Sequence, residues 1–153
     1  MKKYKSNNNI VFSCKYHIIW CPKYRRKVLT KDISDRLKEI ILEVATEFDV
    51  DILEIETDLD HIHLLVDLDP QFGVTKFIKK CKGRSSNLLR KEFPDLKSKL
   101  PALWSSSAFI TTVGSADSLE MIKDYIQNQQ TSSRHKSKEN WENYLDHCNG
   151  IEK

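Results

Sequence analysis

Asp58-Leu59-Asp60-His61-Ile62-His63-Leu64-Leu65-Val66-Asp67 is the stretch whose reading decides the fold. Apolar and polar residues alternate through its middle, as in a β-strand with one covered face. Side chains alternate across a strand, so His61 and His63 share one face while Ile62 points to the other. Just before it, Val50 to Glu56 alternates apolar and acidic residues, a second strand joined by a tight connection into a hairpin. Two readings of the histidine pair stay open on these residues alone. One is a half-buried strand with polar residues on its wet face. The other is half of a first-row metal site, needing one or two oxygen donors and an open position.

Working outward, Ile10 to Trp20 is rich in Val, Ile, Phe, Tyr and Trp and predicts a first strand, broken by Pro22 and a basic, aromatic loop. Ile33, Leu37, Ile40, Ile41, Val44 and Phe48 recur at helical spacing behind Thr30 and Asp32 as caps, predicting an amphipathic helix. Gln71 to Phe93 predicts a second helix on Phe77, Ile78, Cys81, Leu88 and Leu89, weakened by Gly83 and stopped by Pro94. Leu103 to Val113 predicts a fourth strand. Ser115 or Asp117 can cap a last helix from about Leu119 to Gln130, and a polar tail follows from Thr131. The order is β-α-β-β-α-β, an α+β, ferredoxin-like (RRM-like) antiparallel sheet with helices on one face and an extra C-terminal helix. We expect one domain over residues 1–130 and a tail over 131–153. That topology hosts many functions and selects none.

Hydrophobic content of 39% and charged content of 31% place the chain among globular rather than disordered proteins. No apolar run approaches a membrane span, and the charged start at Met1 to Asn9 has no apolar stretch behind it, unlike a secretory signal. Cys14, Cys21, Cys81 and Cys148 form no C-x-x-C pair, which predicts reduced thiols in a cytoplasm and no cysteine zinc knuckle. The net charge of +3 hides a segregation. Residues 1–31 hold nine Lys/Arg and no acid, 32–69 hold thirteen acids and two bases, and 70–91 hold seven bases and no acid. Such blocks either neutralise one another in the fold or build one basic side for a phosphate backbone. On the second reading Lys23, Arg25, Arg26, Lys79, Lys82 and Arg84 are the candidate DNA contacts.

In the last predicted helix, Tyr125 and Gln129 lie four apart and so on one face. Leu119, Ile122 and Ile126 form the apolar stripe that Tyr125 borders, where a tyrosine commonly packs with its hydroxyl in water. A phenol also serves as a nucleophile when a metal polarises the phosphate it attacks. Gln129 is a neutral oxygen donor that would complete a His-His-amide shell for Mg²⁺ or Mn²⁺.

Taken together, these segments make the chain similar to a known family. Tyr16 to Lys27 (Tyr-His-Ile-Ile-Trp-Cys-Pro-Lys-Tyr-Arg-Arg-Lys), Asp58 to Val66, Lys82-Gly83-Arg84-Ser85-Ser86, Leu103 to Ser107 and Tyr125 to Gln129 follow in order. The chain resembles the single-tyrosine HUH transposases of the insertion-sequence-two-hundred-like family from Tyr4 to about Gln130. One departure is Ala108, where many relatives carry an aromatic residue; it does not touch the chemistry.

The resemblance implies a transposase that cleaves and rejoins single-stranded DNA hairpins at element ends through a 5′-phosphotyrosine link. It implies Tyr125 as nucleophile, and His61, His63 and Gln129 as ligands of Mg²⁺ or Mn²⁺. It also implies a homodimer with active sites shared in trans, working in a bacterial or archaeal cytoplasm at the nucleoid, without a membrane. His17 is expected to be a histidine of the fold rather than a ligand. Two alternatives accompany this expectation. One is a related HUH nuclease acting on chromosomal repeats or replication origins. The other is a non-catalytic RRM-like module, against which the lack of a Gly-Phe-aromatic run counts.

Overall fold

The computed structural model of the chain describes residues 4–112, which lie in one compact unit. Strands β1 (Lys5–Ser6) and β2 (Val11–Phe12) form a small ribbon, followed by β3 (Lys15–Trp20), helix α1 (Lys31–Glu47), β4 (Asp51–Asp58), β5 (His61–Asp67), α2 (Val74–Glu92), α3 (Asp95–Lys99) and β6 (Phe109–Thr112). Sheet order β4-β5-β3-β6, all antiparallel, is the split βαβ arrangement predicted from the element order. The predicted helix carrying Tyr125 and the tail from Thr131 lie outside the described residues. Among the described residues no helix is long and apolar enough to cross a membrane.

Register explains the two faces of the sheet. Ile18 stands opposite Leu64 and Ile110, and Trp20 opposite Ile62. Directly paired residues point the same way, so these side chains form one apolar layer. Leu37, Ile40, Ile41 and Val44 of α1, with Phe77, Cys81 and Leu89 of α2, close over that layer as a single core. Burying a Leu or Ile side chain in this way contributes roughly 1.5–3 kcal/mol. The opposite face carries His17, Ile19, His61, His63, Leu65 and Phe109.

Two expected strands are shorter in the structure. The strand foreseen from Ile10 is interrupted because the Cys14 N–H is taken by the Asp67 carboxylate (3.0 Å), which ends the ladder. Val11–Phe12 then pairs with β1 around an Asn7 turn, whose Oδ1 accepts from both Asn9 N and Ile10 N at 2.8 Å. At the other end, Leu103 to Ala108 leaves the sheet. Trp104 makes only an isolated bridge to Pro22, which has no N–H to extend a ladder. The Lys82 ammonium draws the carbonyls of Ser105 (3.0 Å) and Ser107 (2.8 Å) toward α2.

Helix α2 runs unbroken through Gly83. That glycine is exposed and a Cβ there would meet nothing within 4 Å, so its cost is only the ~1 kcal/mol of helix propensity. The buried stripe on Phe77, Ile78, Cys81, Ser85 and Leu89 outweighs it. Gly73 begins the helix at φ +92°, a backbone that side chains rarely adopt. Ser85 is fully buried because its Oγ accepts the Trp104 indole N–H at 2.9 Å, and Trp104 meets Trp20 edge-on at 5.9 Å. Trp104→Phe removes that donor from a buried acceptor. We predict a loss of about 1–3 kcal/mol in urea unfolding with an unchanged m-value.

Candidate functional site

The strand β5 places His61 and His63 on the face away from α1 and α2, as its alternation requires. His63 stands between Ile19 of β3 and Glu56 of β4, and His61 opposite Asp58 at the end of the hairpin. Glu54, Glu56 and Asp58 therefore line the same face beside the histidines. Burial, then the neighbouring His17, hold the His63 imidazole below its ordinary pKa, against the pull of Glu56 and Glu54. A neutral imidazole is the form that ligates metal.

His17 was not expected in the site. Its ring stacks on His63 with centroids 5.2 Å apart and planes 18° from parallel, and its Nδ1 lies 3.0 Å from His63 Nε2. One of the two nitrogens carries the shared proton. Position along the chain does not reveal this contact, since it depends on the β3–β5 register that pairs Ile19 with His63.

Asp60 also joins the site. It occupies the two-residue turn between β4 and β5, almost fully buried. Its Oδ1 lies 2.9 Å from His61 Nδ1 and its Oδ2 2.8 Å from Arg25 Nε. Burial opposes ionisation, but the hydrogen bond from His61 and the charge and hydrogen bond of Arg25 prevail, holding the carboxyl below its ordinary range. An ionised carboxylate can only accept, so Nδ1 of His61 is the donor in this contact. Asp58, Asp60 and His61 bring possible ligand atoms within 4.8 Å of one another, the one such group among the described residues. The chemistry of the face suits a divalent cation, since the imidazoles of His61 and His63 stand beside the carboxylates of Asp58 and Glu56.

The candidate DNA contacts divide by placement. The guanidinium of Arg25 is turned inward, its side chain 8% exposed, onto Asp60. The Lys82 ammonium is held by the Ser105 and Ser107 carbonyls, and burial pushes its pKa down to about 8. Arg84 pairs with Glu47 of α1 at 2.6 Å. Arg26 and Lys79 are exposed, and Lys23 is partly exposed, its ammonium over the Tyr24 ring at 5.5 Å. Tyr125 and Gln129, the expected nucleophile and third ligand, lie outside the described residues. Cys14, Cys21 and Cys81 are free thiols, and burial pushes Cys21 up to about 11 and Cys81 up to about 12, which suits core packing.

The antiparallel split βαβ sheet is the fold that the element order predicted, and it carries the histidine pair on the face opposite its helices. Comparison with known proteins assigns the family: residues 10–129 match the model described as "Transposase IS200 like". The chain belongs to the IS200-like transposases and is a DNA transposase. It is 36% identical over 127 residues to the ISDra2 transposase TnpA of Deinococcus radiodurans, covering 82% of this chain and 90% of that protein. It is 35% identical over 127 residues to the transposase for insertion sequence element IS200 of Salmonella typhimurium, covering 82% of each. A crystal structure described as a transposase from Deinococcus radiodurans R1 superposes with a TM-score of 0.75 at 34% identity, covering 84% of this chain and 99% of that one.

The stacked histidines make a direct test. His17→Ala removes the neighbouring imidazole and admits water to the ring, so the His63 pKa should rise toward the usual ~6.5 in an NMR titration. A value that stays low would assign the depression to burial by other groups.

Proposed function

We propose that this transposase cleaves and rejoins single-stranded DNA hairpins at the ends of a mobile element, using a divalent metal ion and a covalent tyrosine link. The observation that carries the reading is the family match over residues 10–129, a span that includes the histidine pair, Tyr125 and Gln129. The histidine pair on the β5 face, with the His63 imidazole held below its ordinary pKa, supports it further.

In this reading His61, His63 and Gln129 hold Mg²⁺ or Mn²⁺. When bound, such an ion withdraws charge from the scissile phosphate and stabilises the leaving oxygen. Tyr125 gives up its phenolic proton and its oxygen attacks phosphorus. The bond from phosphorus to the 3′-oxygen breaks, and that oxygen leaves as a 3′-hydroxyl after taking a proton. The 5′-phosphate stays on Tyr125. Because the ester is preserved in the link, a 3′-hydroxyl attacking it reseals a strand without ATP. A free phenol has a pKa near ~10, so its environment must assist the deprotonation.

The DNA backbone is contacted by the exposed Arg26 and Lys79 and the half-exposed Lys23, while Arg25, Lys82 and Arg84 are held by partners within the chain. Two ends need two nucleophiles, and each chain supplies one Tyr125, so the working unit is a homodimer. Among the described strands β6 lies at a sheet edge, where a second copy would pair and cover it.

Each part has its own measurement. With a labelled hairpin end and Mg²⁺, the wild-type protein should form a denaturation-resistant adduct that Tyr125→Phe does not. Excess EDTA should abolish cleavage but spare hairpin binding, and His63→Ala should behave the same way. Adduct formation in EDTA would remove the metal from the reaction. Each phosphate contact on a single strand contributes roughly −0.7 to the log–log salt slope, so Arg26→Ala should flatten it by about that amount. Arg25→Ala should leave the slope unchanged. Mixed dimers of a His61/His63 double mutant with Tyr125→Phe should recover cleavage of one end if sites form in trans, and none if each chain builds its own.

A further inference from the structure

Asp60 has no part in the chemistry above, yet it is buried beside it. Its two carboxylate oxygens are each committed, Oδ1 to His61 Nδ1 at 2.9 Å and Oδ2 to Arg25 Nε at 2.8 Å. A carboxylate so engaged is poorly placed to ligate an ion itself. It is well placed to hold the ring that does. The turn bearing it is docked from outside β5 as well, because Leu29 N donates to Leu59 O at 3.0 Å.

Arg25 reaches Asp60 only through an unusual backbone. Tyr24 and Arg25 have φ of 58° and 52°, the left-handed region that costs a residue with a Cβ roughly 1–2 kcal/mol. Lys23 N donates to Leu103 O and Arg25 N to Pro22 O, both at 2.8 Å, which secures this bend. The bend sends Tyr24 outward, 68% exposed, and the guanidinium inward. Arg25 Nη1 is buried with no partner, so Asp60 is the carboxylate that balances this charge among the described residues.

We infer that Asp60 is the positioning residue of the site: its carboxylate, anchored by Arg25, holds His61 as the Nδ1–H tautomer and leaves Nε2 as the nitrogen free to take a metal ion. The inference rests on the metal reading of the histidine pair. It makes the strained Tyr24–Arg25 bend part of the site, through Arg25, rather than a surface loop.

The test uses the full chain with Mn²⁺ as the probe, reading its affinity by EPR and the His61 tautomer by long-range ¹H–¹⁵N NMR. In wild-type protein His61 should be the Nδ1–H form. Asp60→Ala should shift it toward the Nε2–H form that a solvated imidazole prefers and weaken Mn²⁺ binding about 10–100-fold. Asp60→Asn keeps the shape and an acceptor oxygen. It carries the test if the alanine variant does not fold, and should weaken Mn²⁺ binding less. An unchanged tautomer in a folded Asp60→Ala, or in Asp60→Asn with unchanged Mn²⁺ affinity while His61→Ala loses it, overturns the inference. Wild-type Mn²⁺ affinity in His61→Ala would instead overturn the metal reading, and the tautomer would still decide whether Asp60 holds the ring.

Discussion

The register between β3 and β5 governs both halves of the molecule. With Ile19 opposite His63 and Ile18 opposite Leu64, the apolar residues of both strands fall under the helices and the histidines fall on the other face. Strand side chains alternate with a period of two, so a slip of one residue on β5 would turn His61 and His63 into the core and Ile62 and Leu64 out of it. The core that stabilises the sheet therefore also enforces the placement of the imidazoles. Stability and site geometry rest on one ladder.

At the hairpin end of that ladder, three segments distant in sequence meet. The Cys21–Leu29 stretch, the Leu59–Asp60 turn and the Leu103–Ser107 segment are cross-linked by Lys23 N to Leu103 O, Leu29 N to Leu59 O, and Ser105 N to Cys21 O. Lys82 and Ser85 of α2 bind the last of these segments from below. The corner next to His61 is thus built from loops, but loops whose backbone groups are paired. Hydrogen-bonded loops on a packed sheet can hold a ring to a fixed orientation, which free surface loops cannot.

Electrostatic segregation along the chain is only partly preserved in space. Some basic residues are paired with the acidic block, as Arg25 with Asp60, Arg84 with Glu47, and Lys5 with Asp51. Others, such as Arg26 and Lys79, remain exposed. Neutralisation within the fold therefore accounts for part of the charge blocks, and the rest stays at the surface. The basic surface is narrower than the count of Lys and Arg suggests, and part of the cationic complement organises the fold.

From the sequence alone, local periodicity determined the element types and their order. Ile62, Leu64 and Val66 alternating with histidines defined β5, and Ile33, Leu37, Ile40, Ile41 and Val44 defined α1. Element order then led to the split βαβ sheet, because few topologies bury those faces. The family was legible too, through segments spread from Tyr16 to Gln129 that match in order. What only the tertiary structure decided are contacts between residues far apart in the chain. His17 meets His63 across 46 positions and Arg25 meets Asp60 across 35. Strand ends also belonged to it, since Asp67 and Lys82 capture backbone groups that a ladder would otherwise use. Periodicity reports which face a side chain takes on its own element. It carries no information about which partner that face will meet, because register and loop conformation are settled only when the core packs.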